Sequence, residues 1–423
     1  MKACSVLIVG GGASGMTAAL FLRQLFDRSD FSNKSIVLLE KNDRVGKKLL
    51  LTGNGRCNLS NRNSKPEHFH GSQSSFSNYS LEAFSPENTV AFFHELGLEC
   101  ISLEDKIFPR SLHASSVLDA LRLSLEEKSI EVFCQSAVHR IKKENGYFIT
   151  VDQNNNEWKS EAVLIATGGV SAPETGSTGD GYMFFSSFSH TVIKPLPAIV
   201  QVKSGDPFCK SVSGLKVQGI ARLFTHHQEL RSEEGEILFT DYGLSGPPIL
   251  QLSGLVSRAL EKNQTVEIKI DTLPDLSEEM LVSLLLERRS SFPSRTLENF
   301  LTGLFHRRIA YAILKKSLGK TLSTLSSELS EEDIKRLSHS CKELVIPVEA
   351  TMGIKKAQVT AGGVATADFS EKSMQSTLCP GLFGCGEVLD IDGDCGGYNL
   401  QWAWSSAHTA SQGIFQFLKE LGE

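Results

Sequence analysis

The N-terminal stretch Val9-Gly10-Gly11-Gly12-Ala13-Ser14-Gly15 follows the apolar run Ser5-Val6-Leu7-Ile8. Its spacing, Gly-x-Gly-x-x-Gly, is typical of the turn between a buried strand and a helix that binds a dinucleotide. Gly10 permits the tight turn, Gly12 lets the backbone approach a pyrophosphate, and Gly15 lets the helix lie close on the strand. The stretch therefore predicts an α/β fold that opens with a Rossmann-type unit.

A second apolar run supports this interpretation. Ser35-Ile36-Val37-Leu38-Leu39 predicts the next parallel strand, and Glu40 follows it directly. An acidic residue at this distance from the glycines is placed to accept hydrogen bonds from the adenosine ribose hydroxyls. A carboxylate there disfavours a 2′-phosphate, so NADP is not expected at this site. The alternative is a surface glutamate at a strand end.

Composition places the chain among ordinary globular proteins. It has 423 residues, of which 40% are hydrophobic, and its net charge is −6. This length suits two or three domains with a sizeable core. The acidic balance argues against a nucleic-acid-binding surface over the whole protein. We therefore expect a small-molecule substrate and no nucleic acid partner.

Cysteine usage and hydropathy indicate the compartment. The nine cysteines are scattered and contain no Cys-x-x-Cys pair, which is the pattern of a reducing compartment with neither a disulfide framework nor a metal site. The first apolar run is broken by the glycine turn, so we interpret it as a strand and not a signal peptide. No window reaches eighteen apolar residues. The expected location is the cytoplasm, without a membrane partner.

The pattern along the chain divides it into four parts. Residues 1–189 are expected to form the first part of a nucleotide-binding domain. Residues 190–275 show short strands and turns and predict a β-rich insert, to which residues 341–351 return. Residues 276–340 have helical spacing and predict a small helical insert. Glycine-rich strand and helix signals return in residues 352–423, the second part of the nucleotide-binding domain.

Local signals refine this division. Asn145-Gly146, between two strand patterns, predicts a hairpin. Ser330-x-x-Asp333 predicts the start of a helix through a capping box. Residues 60–85 are rich in Ser, Asn and His and are expected to form an exposed loop.

Two segments of the first part suit a bound cofactor. The basic loop from Lys41 to Lys48 leads into Thr52-Gly53-Asn54-Gly55-Arg56-Cys57-Asn58. Backbone N–H groups and cations in such a concavity suit a diphosphate and the edge of an isoalloxazine ring. The alternative is a basic surface loop. Ala166-Thr167-Gly168-Gly169 ends a predicted strand and suits close backbone approach to a ligand.

The C-terminal block from Gly381 to Ser406 is the most specific stretch. Glu387 ends a predicted strand, where its carboxylate is placed to bind a ribityl hydroxyl. A long helix is predicted to begin after Gly396-Gly397. Its N–H groups near Asn399 and Leu400 would face the N1 and C2 carbonyl edge of a flavin and stabilise the reduced form electrostatically.

These motifs together resemble one family. The chain is similar to the bacterial FAD-dependent oxidoreductases described as aminoacetone-oxidase-like or dehydro-bile-acid-reductase-like. The resemblance runs from residue 6 to about residue 410. It is carried by the following motifs: Gly10–Gly15, Glu40-Lys41, Val45–Leu49, Thr52–Asn58, Leu238-Phe239-Thr240, Gly243–Pro247, Val359–Val364 and Gly381–Ser406.

The resemblance implies a two-part FAD-binding domain of the glutathione-reductase type, with a β-barrel-like insert and a small helical insert. It also implies hydride transfer through flavin N5 on unsaturated or amino ketones, with NAD(P)H as a transient electron donor. Thr240-Asp241-Tyr242 stands where many members have Thr-His. An acid–base role of that histidine therefore does not transfer to this chain.

The predicted site is built from both ends of the sequence. No catalytic acid or base is assigned, and the candidates are Cys57, Asn58, Asp392 and Tyr398. No metal ligand is expected. The predicted FAD-binding residues are Gly10, Gly12, Ala13, Ser14, Gly15, Glu40, Lys41, Gly46, Lys47, Lys48, Thr52, Gly53, Asn54, Val138, Thr167, Gly168, Gly386, Glu387, Asn399 and Leu400.

Two alternatives stay open on the sequence. A flavin-dependent RNA-modifying enzyme would share the FAD domain but would need a basic face. A non-catalytic nucleotide-sensing flavoprotein would need no solvent-open flavin. The sequence does not decide the substrate, the nicotinamide preference or the oligomeric state.

Overall fold

A computed structural model describes residues 1–422. The strands, in chain order, are β1 (Lys2–Val9), β2 (Ile36–Leu39), β3 (Ser60–Asn61), β4 (Phe69–His70), β5 (Cys100–Leu103), β6 (Lys106–Pro109), β7 (Glu131–Phe133), β8 (Val138–Glu144), β9 (Tyr147–Asp152), β10 (Glu157–Ile165), β11 (Val192–Ala198), β12 (Val202–Lys203), β13 (Lys216–Thr225), β14 (Gln228–Thr240), β15 (Gly243–Ser245), β16 (Val266–Asp271), β17 (Leu344–Val348), β18 (Ala350–Thr351), β19 (Val359–Val364), β20 (Leu382–Gly384) and β21 (Asp392–Gly393). The α-helices are α1 (Ala13–Asp27), α2 (Ser77–Ala83), α3 (Pro86–Glu95), α4 (Ala114–Glu127), α5 (Asp180–Ser187), α6 (Pro207–Ser211), α7 (Pro247–Glu261), α8 (Glu278–Ser291), α9 (Leu297–Phe300), α10 (Arg307–Leu318), α11 (Glu331–Lys342) and α12 (Tyr398–Gly422).

The chain forms two compact units, and the first contains both chain ends. It comprises residues Met1–Leu196 and 358–422. Its main sheet has the order β7-β2-β1-β10-β9-β8, with β20 also paired to β10. The pairs β1–β2, β2–β7, β1–β10 and β10–β20 are parallel, while β8, β9 and β10 form an antiparallel meander. The predicted α/β fold is confirmed.

The central strands are buried because helices cover the sheet. All four residues of β2 and the last six of β1 are buried, as expected for parallel strands that lie between helical layers. Helices α1 and α12 pack together closely enough for Ser411 Oγ to donate to the Ala18 carbonyl at 3.1 Å. This packing holds the start of α12 in the same unit as the glycine turn.

The second unit comprises residues Pro197–Ala357. Its sheet has the order β17-β16-β13-β14-β15-β12-β18. One hydrophobic core joins this sheet to α7, α8, α10 and α11, with Ile268, Leu285 and Ile334 fully buried. The finer division into residues 190–275, 276–340 and 341–351 stays a prediction.

The structure corrects one local expectation. Residues 60–85 do not form an exposed loop, because they contain β3, β4 and α2. Phe69, Phe76 and Leu81 lie among the polar residues and are only 2%, 5% and 7% exposed. These apolar side chains anchor the segment to the core of the first unit.

Two other local predictions, a hairpin and a capping box, are confirmed. The hairpin at Asn145-Gly146 joins β8 and β9, and Ser330 forms a capping box with Asp333 at the start of α11. Among residues 1–422 the cysteines form no disulfide. No helix in that range has the length and apolar character needed to cross a membrane.

Candidate functional site

In the turn between β1 and α1, two glycines have no room for a side chain, whereas the third, Gly12, has free space beside it. A Cβ at Gly10 would lie 2.5 Å from the Ala166 carbonyl oxygen, and one at Gly15 would overlap the carbonyl oxygen of Gly10. At Gly12 an added Cβ would meet no protein atom within 4 Å. No side chain in the described chain caps α1 at this residue. The N–H groups of its first turn are therefore available to a ligand.

Gly10 and Gly12 line a cavity at the carboxyl ends of β1 and β2. It holds about 1190 Å³ of empty space including its open mouth, and its lining comes from both ends of the sequence. The predicted cofactor-binding residues that line it are Gly10, Gly12, Ala13, Ser14, Glu40, Lys41, Gly46, Lys47, Lys48, Thr52, Val138, Thr167, Gly168, Glu387, Asn399 and Leu400. Four others, Gly15, Gly53, Asn54 and Gly386, lie outside the lining.

Glu40 lines this cavity and is only 7% exposed. One carboxylate oxygen, Oε2, accepts a hydrogen bond from Gly11 N at 2.9 Å. The other, Oε1, accepts from the backbone N of Asn42 at 2.8 Å and from its Nδ2 at 2.7 Å. These bonds fix the carboxylate, and Oε2 can accept one further hydrogen bond.

The lysines of the basic loop are paired with carboxylates. Lys41 Nζ donates to Asp180 Oδ2 at 2.7 Å, and Lys47 Nζ lies 2.7 Å from Asp43 Oδ1. The side chain of Asp43 is 63% exposed, and such surface pairs contribute little free energy. The loop therefore offers a diphosphate less net positive charge than the sequence predicts. Of these two lysines, Lys47 is more easily released from its carboxylate to bind a diphosphate.

Lys48 reaches across the cavity to the other end of the chain. Its Nζ donates to Glu387 Oε2 at 2.6 Å and to Ser171 Oγ at 2.8 Å. Glu387 Oε1 accepts from Ser171 Oγ at 2.9 Å and from Thr360 N at 2.8 Å. One network thus joins the loop after β2, the segment after β10, β19 and the segment after β20.

This network keeps Glu387 ionised. Burial disfavours the charged form, but the Lys48 ammonium and the hydrogen bonds from Thr360 and Ser171 outweigh burial and lower the pKa of the Glu387 carboxyl. An ionised carboxylate only accepts hydrogen bonds. Glu387 is therefore suited to a ligand hydroxyl.

The backbone of Gly386, the residue before Glu387, is fixed by contacts with α1 and α12. Its N–H donates to Ser406 Oγ at 2.9 Å, and its carbonyl accepts from Trp402 Nε1 at 3.1 Å. Its φ is +76°, and a Cβ there would lie 2.6 Å from Ser14 Oγ. The segment after β20 is consequently held between α1 and α12.

The start of α12 also lines the cavity. Asn399 Oδ1 accepts from Gly393 N at 2.8 Å, and its Nδ2 donates to Gly393 O at 2.7 Å. Asn399 thereby ties the loop after β21 to the helix, and Leu400 lines the cavity beside it. The positive end of the helix dipole favours an electron-rich group here.

Comparison with known proteins identifies the family. Residues 4–413 match the sequence pattern of the HI0933-like protein Rossmann domain. The chain belongs to the HI0933-like family. It is thus an FAD-dependent oxidoreductase, as the motifs predicted.

Two relatives and one solved structure illustrate the family and the fold. The 3-dehydro-bile acid delta(4,6)-reductase of Clostridium scindens is 33% identical over 407 residues, which are 96% of this chain and 97% of that protein. The ribosomal RNA dihydrouridine synthase of Escherichia coli is 28% identical over 417 residues, 98% of each chain. A 3-ketosteroid delta1-dehydrogenase from Sterolibacterium denitrificans superimposes with a TM-score of 0.51 at 11% identity, with 98% of this chain and 99% of that chain covered. This last likeness shows the fold alone.

The cavity of this HI0933-like protein fits FAD. Gly12 leaves room where a side chain would block a pyrophosphate. Glu40 and the start of α12 line this same cavity, so one extended dinucleotide can contact both.

The four predicted catalytic candidates lie outside the cavity lining. Cys57 is fully buried, and burial raises the pKa of its thiol to about 12, so it is protonated at neutral pH and a poor nucleophile. Asn58 Oδ1 is buried without a hydrogen-bond partner in residues 1–422, close to Gly397. Asp392 and Tyr398 are 2% and 6% exposed.

Sequence reasoning about the HI0933-like chain missed three titratable residues near the start of α12. His68, His70 and Asp394 form a hydrogen-bonded cluster. The two histidines lie in the segment that was expected to be an exposed loop. The signal available in the sequence was the closeness of two histidines in the stretch His68-Phe69-His70.

Proposed function

We propose that this protein uses FAD to reduce the carbon–carbon double bond of a small unsaturated ketone, with NAD(P)H as the electron donor. We choose this substrate class because the relative at 33% identity is a 3-dehydro-bile acid delta(4,6)-reductase. Only one complete Gly-x-Gly-x-x-Gly stretch is present, at Gly10–Gly15. The nicotinamide is accordingly expected to visit the flavin transiently. The cytoplasmic location stays part of this proposal.

We assign the cavity residues as follows. Glu40 accepts from the adenosine ribose, the first turn of α1 binds the pyrophosphate, and Glu387 accepts from a ribityl hydroxyl. The N–H groups at Asn399 and Leu400 lie against the flavin edge that gains charge on reduction. When bound, FAD supplies two-electron hydride transfer through N5.

An RNA substrate is the second candidate, and the ribosomal RNA dihydrouridine synthase at 28% identity favours it. A uracil ring carries a double bond conjugated to a carbonyl, so its reduction resembles that of an unsaturated ketone. The net charge of −6 and pI of 6.0 oppose tight binding of a polyanion. We therefore rank RNA below a small ketone.

Competing acceptors distinguish the two substrates. The holoenzyme is reduced anaerobically and then mixed with cyclohexenone, androstenedione or unmodified ribosomal RNA. We expect both ketones to reoxidise the flavin and the RNA to leave it reduced. Recovery of the oxidised spectrum only with RNA, together with dihydrouridine in the product, would reverse the ranking. Reoxidation by neither class would leave the protein without the proposed activity and favour a sensing role.

A further inference from the structure

His68, His70 and Asp394 form a cluster beside the start of α12. Asp394 Oδ2 lies 3.0 Å from His68 Nδ1, and its Oδ1 lies 2.8 Å from His70 Nε2. The antiparallel pairing of β4 with β21 places His70 opposite Asp392. In addition, Asp394 N donates to the His68 carbonyl at 2.9 Å. Backbone and side-chain contacts therefore fix both rings relative to Asp394.

The cluster is one hydrogen bond away from the cavity lining. Asn399, which lines the cavity, donates from Nδ2 to the backbone carbonyl of Asp394 at 3.3 Å. The same side chain is bonded to Gly393 on both its amide atoms. The cluster thus lies next to the end of the cavity that we assign to the reactive part of the cofactor.

His68 has a positioning role only. Since an ionised carboxylate can only accept, Nδ1 of His68 donates to Asp394 and Nε2 is left as an acceptor. That nitrogen faces Asn63 Nδ2 at 3.4 Å. The ring also stacks on Tyr398, with centroids 4.5 Å apart and an interplanar angle of 24°. Both nitrogens and one face of the His68 ring are occupied.

His70 is arranged differently. Its Nε2 donates to Asp394, while its Nδ1 has no hydrogen-bond partner within residues 1–422. Its side chain is 26% exposed, whereas that of Asp394 is 2% exposed. The Nδ1 atom is thus able to take a proton from solvent and give it to a neighbouring group.

Titratable groups surround the His70 ring. Its Nε2 contacts Asp394, a buried carboxylate, which needs a compensating positive charge or hydrogen bonds. Asp392 lies opposite His70 on β21, and Asp390 accepts from the backbone N and hydroxyl of Ser72, at 2.8 Å and 2.5 Å. The other histidine of the cluster is His68. Among these groups, Asp394 contacts the His70 ring directly.

Resting on the proposed function, we propose that His70 is the proton donor in the reduction of the substrate double bond and that Asp394 positions it. One carbon of the double bond receives a hydride from the reduced cofactor, and the other receives the proton from His70 Nδ1. The double bond becomes a single bond, the nicotinamide is oxidised overall, and His70 regains its proton from water. Imidazole suits this role because its ordinary pKa lies near neutral pH.

His70→Gln tests the proton transfer with little change in shape. The Gln amide nitrogen can keep the hydrogen bond to Asp394 but cannot release a proton at neutral pH. In reduced holoenzyme we expect reoxidation by cyclohexenone to slow about 100-fold and to lose its pH dependence near neutrality. Reoxidation by ferricyanide, which takes electrons without a proton, should be unchanged. His339→Gln, at an exposed position on α11, is the matched control.

The outcomes separate this proposal from the proposed function. If the His70→Gln holoenzyme is reoxidised by cyclohexenone as fast as the native holoenzyme, His70 is not the donor, and the reductase function stands. If cyclohexenone and androstenedione fail to reoxidise the native holoenzyme while ferricyanide succeeds, the substrate class fails and this inference fails with it.

Nitrogen NMR of the native and Asp394→Asn proteins tests the positioning role without turnover. We expect the neutral His70 ring of the native protein to carry its proton on Nε2, which donates to Asp394, and the variant to lose this preference, because an amide can donate as well as accept. The same ratio of the two ring tautomers in both proteins would overturn the role of Asp394. Rescue of the slowed cyclohexenone step by Asp394→Glu, but not by Asp394→Asn, would support it.

Discussion

Gly12 and Gly15 lie three residues apart in one turn but are needed for different reasons. Gly12 has φ −82° and ψ −169°, a conformation that any residue adopts, and its Cβ direction is free of protein atoms. Gly15 is in contact with the carbonyl of Gly10. Gly12 leaves space for a ligand, whereas Gly15 leaves space for the protein itself.

This difference predicts opposite phenotypes for two substitutions. Gly12→Val should leave the melting temperature of the apoprotein nearly unchanged and abolish retention of FAD, because the side chain fills the pyrophosphate position. Gly15→Ala should lower the stability of the apoprotein by about 1–3 kcal/mol through overpacking. Thermal unfolding of the apoproteins and flavin absorbance after reconstitution measure both effects. Normal FAD retention by Gly12→Val would contradict the assignment.

The ion pair of Lys48 with Glu387 has a close match elsewhere in the same unit. Lys34 and Glu161 lie 2.7 Å apart with side chains 24% and 27% exposed, against 2.6 Å and 24% and 21% for Lys48 and Glu387. The two pairs differ in that the second lines the cavity. Substitutions in the two pairs can therefore distinguish a loss of protein stability from a loss of cofactor binding.

Replacement of each lysine by methionine compares the pair that lines the cavity with the pair that does not. Lys48→Met should weaken FAD binding about 10-fold, since Glu387 loses the cation that keeps it ionised and oriented, a change worth about 1.4 kcal/mol. Lys34→Met should bind FAD as the native protein does. Flavin fluorescence titration gives both dissociation constants. Equal affinities in the two variants would remove the Lys48–Glu387 pair from the site.

At the scale of elements, a buried glutamine links α12 by hydrogen bonds to other elements of the first unit. Gln401 is fully buried, and its Oε1 accepts from Ser60 Oγ at 2.5 Å and from Thr89 Oγ1 at 2.9 Å. Its Nε2 donates to Phe84 O at 2.9 Å. One side chain therefore joins α12 to β3, α3 and the end of α2.

Gln401→Leu should destabilise the protein by about 3 kcal/mol, because the buried Ser60 hydroxyl loses its hydrogen bond and the Thr89 hydroxyl and Phe84 carbonyl each lose one of two. Gln416→Leu, at an exposed position of the same helix, should change the free energy of unfolding by less than about 0.5 kcal/mol. Urea unfolding of both variants checks the difference. A near-neutral Gln401→Leu would mean that apolar packing alone holds α12.

Elements with a strong local pattern were predictable from the sequence. The glycine turn, the apolar runs of β1 and β2, and the Asn-Gly hairpin each depend on neighbouring residues alone. The pairs of Lys41 and Lys48 were not predictable, because Asp180 and Glu387 come from distant parts of the chain. The cluster of His68 and His70 was missed for the same reason, since Asp394 lies more than 300 positions away.

At the scale of the whole molecule, the two units have separate hydrophobic cores. The three tryptophans, Trp158, Trp402 and Trp404, are all buried in the first unit. Tryptophan fluorescence therefore reports the unfolding of the FAD-binding unit, while circular dichroism reports both units.

FAD at 100 times its dissociation constant should stabilise the first unit by about 2.7 kcal/mol. We expect the thermal transition seen by tryptophan fluorescence to move upward with FAD. A fluorescence transition unaffected by saturating FAD would contradict binding in the cavity of the first unit.

Anaerobic reduction of the purified holoenzyme by NADH or NADPH tests the central claim most directly. The account predicts that one chain binds one FAD, that a reduced nicotinamide bleaches the visible flavin absorbance, and that an unsaturated ketone restores it. A protein that takes up no FAD, or a bound flavin that neither nicotinamide reduces, would contradict the account.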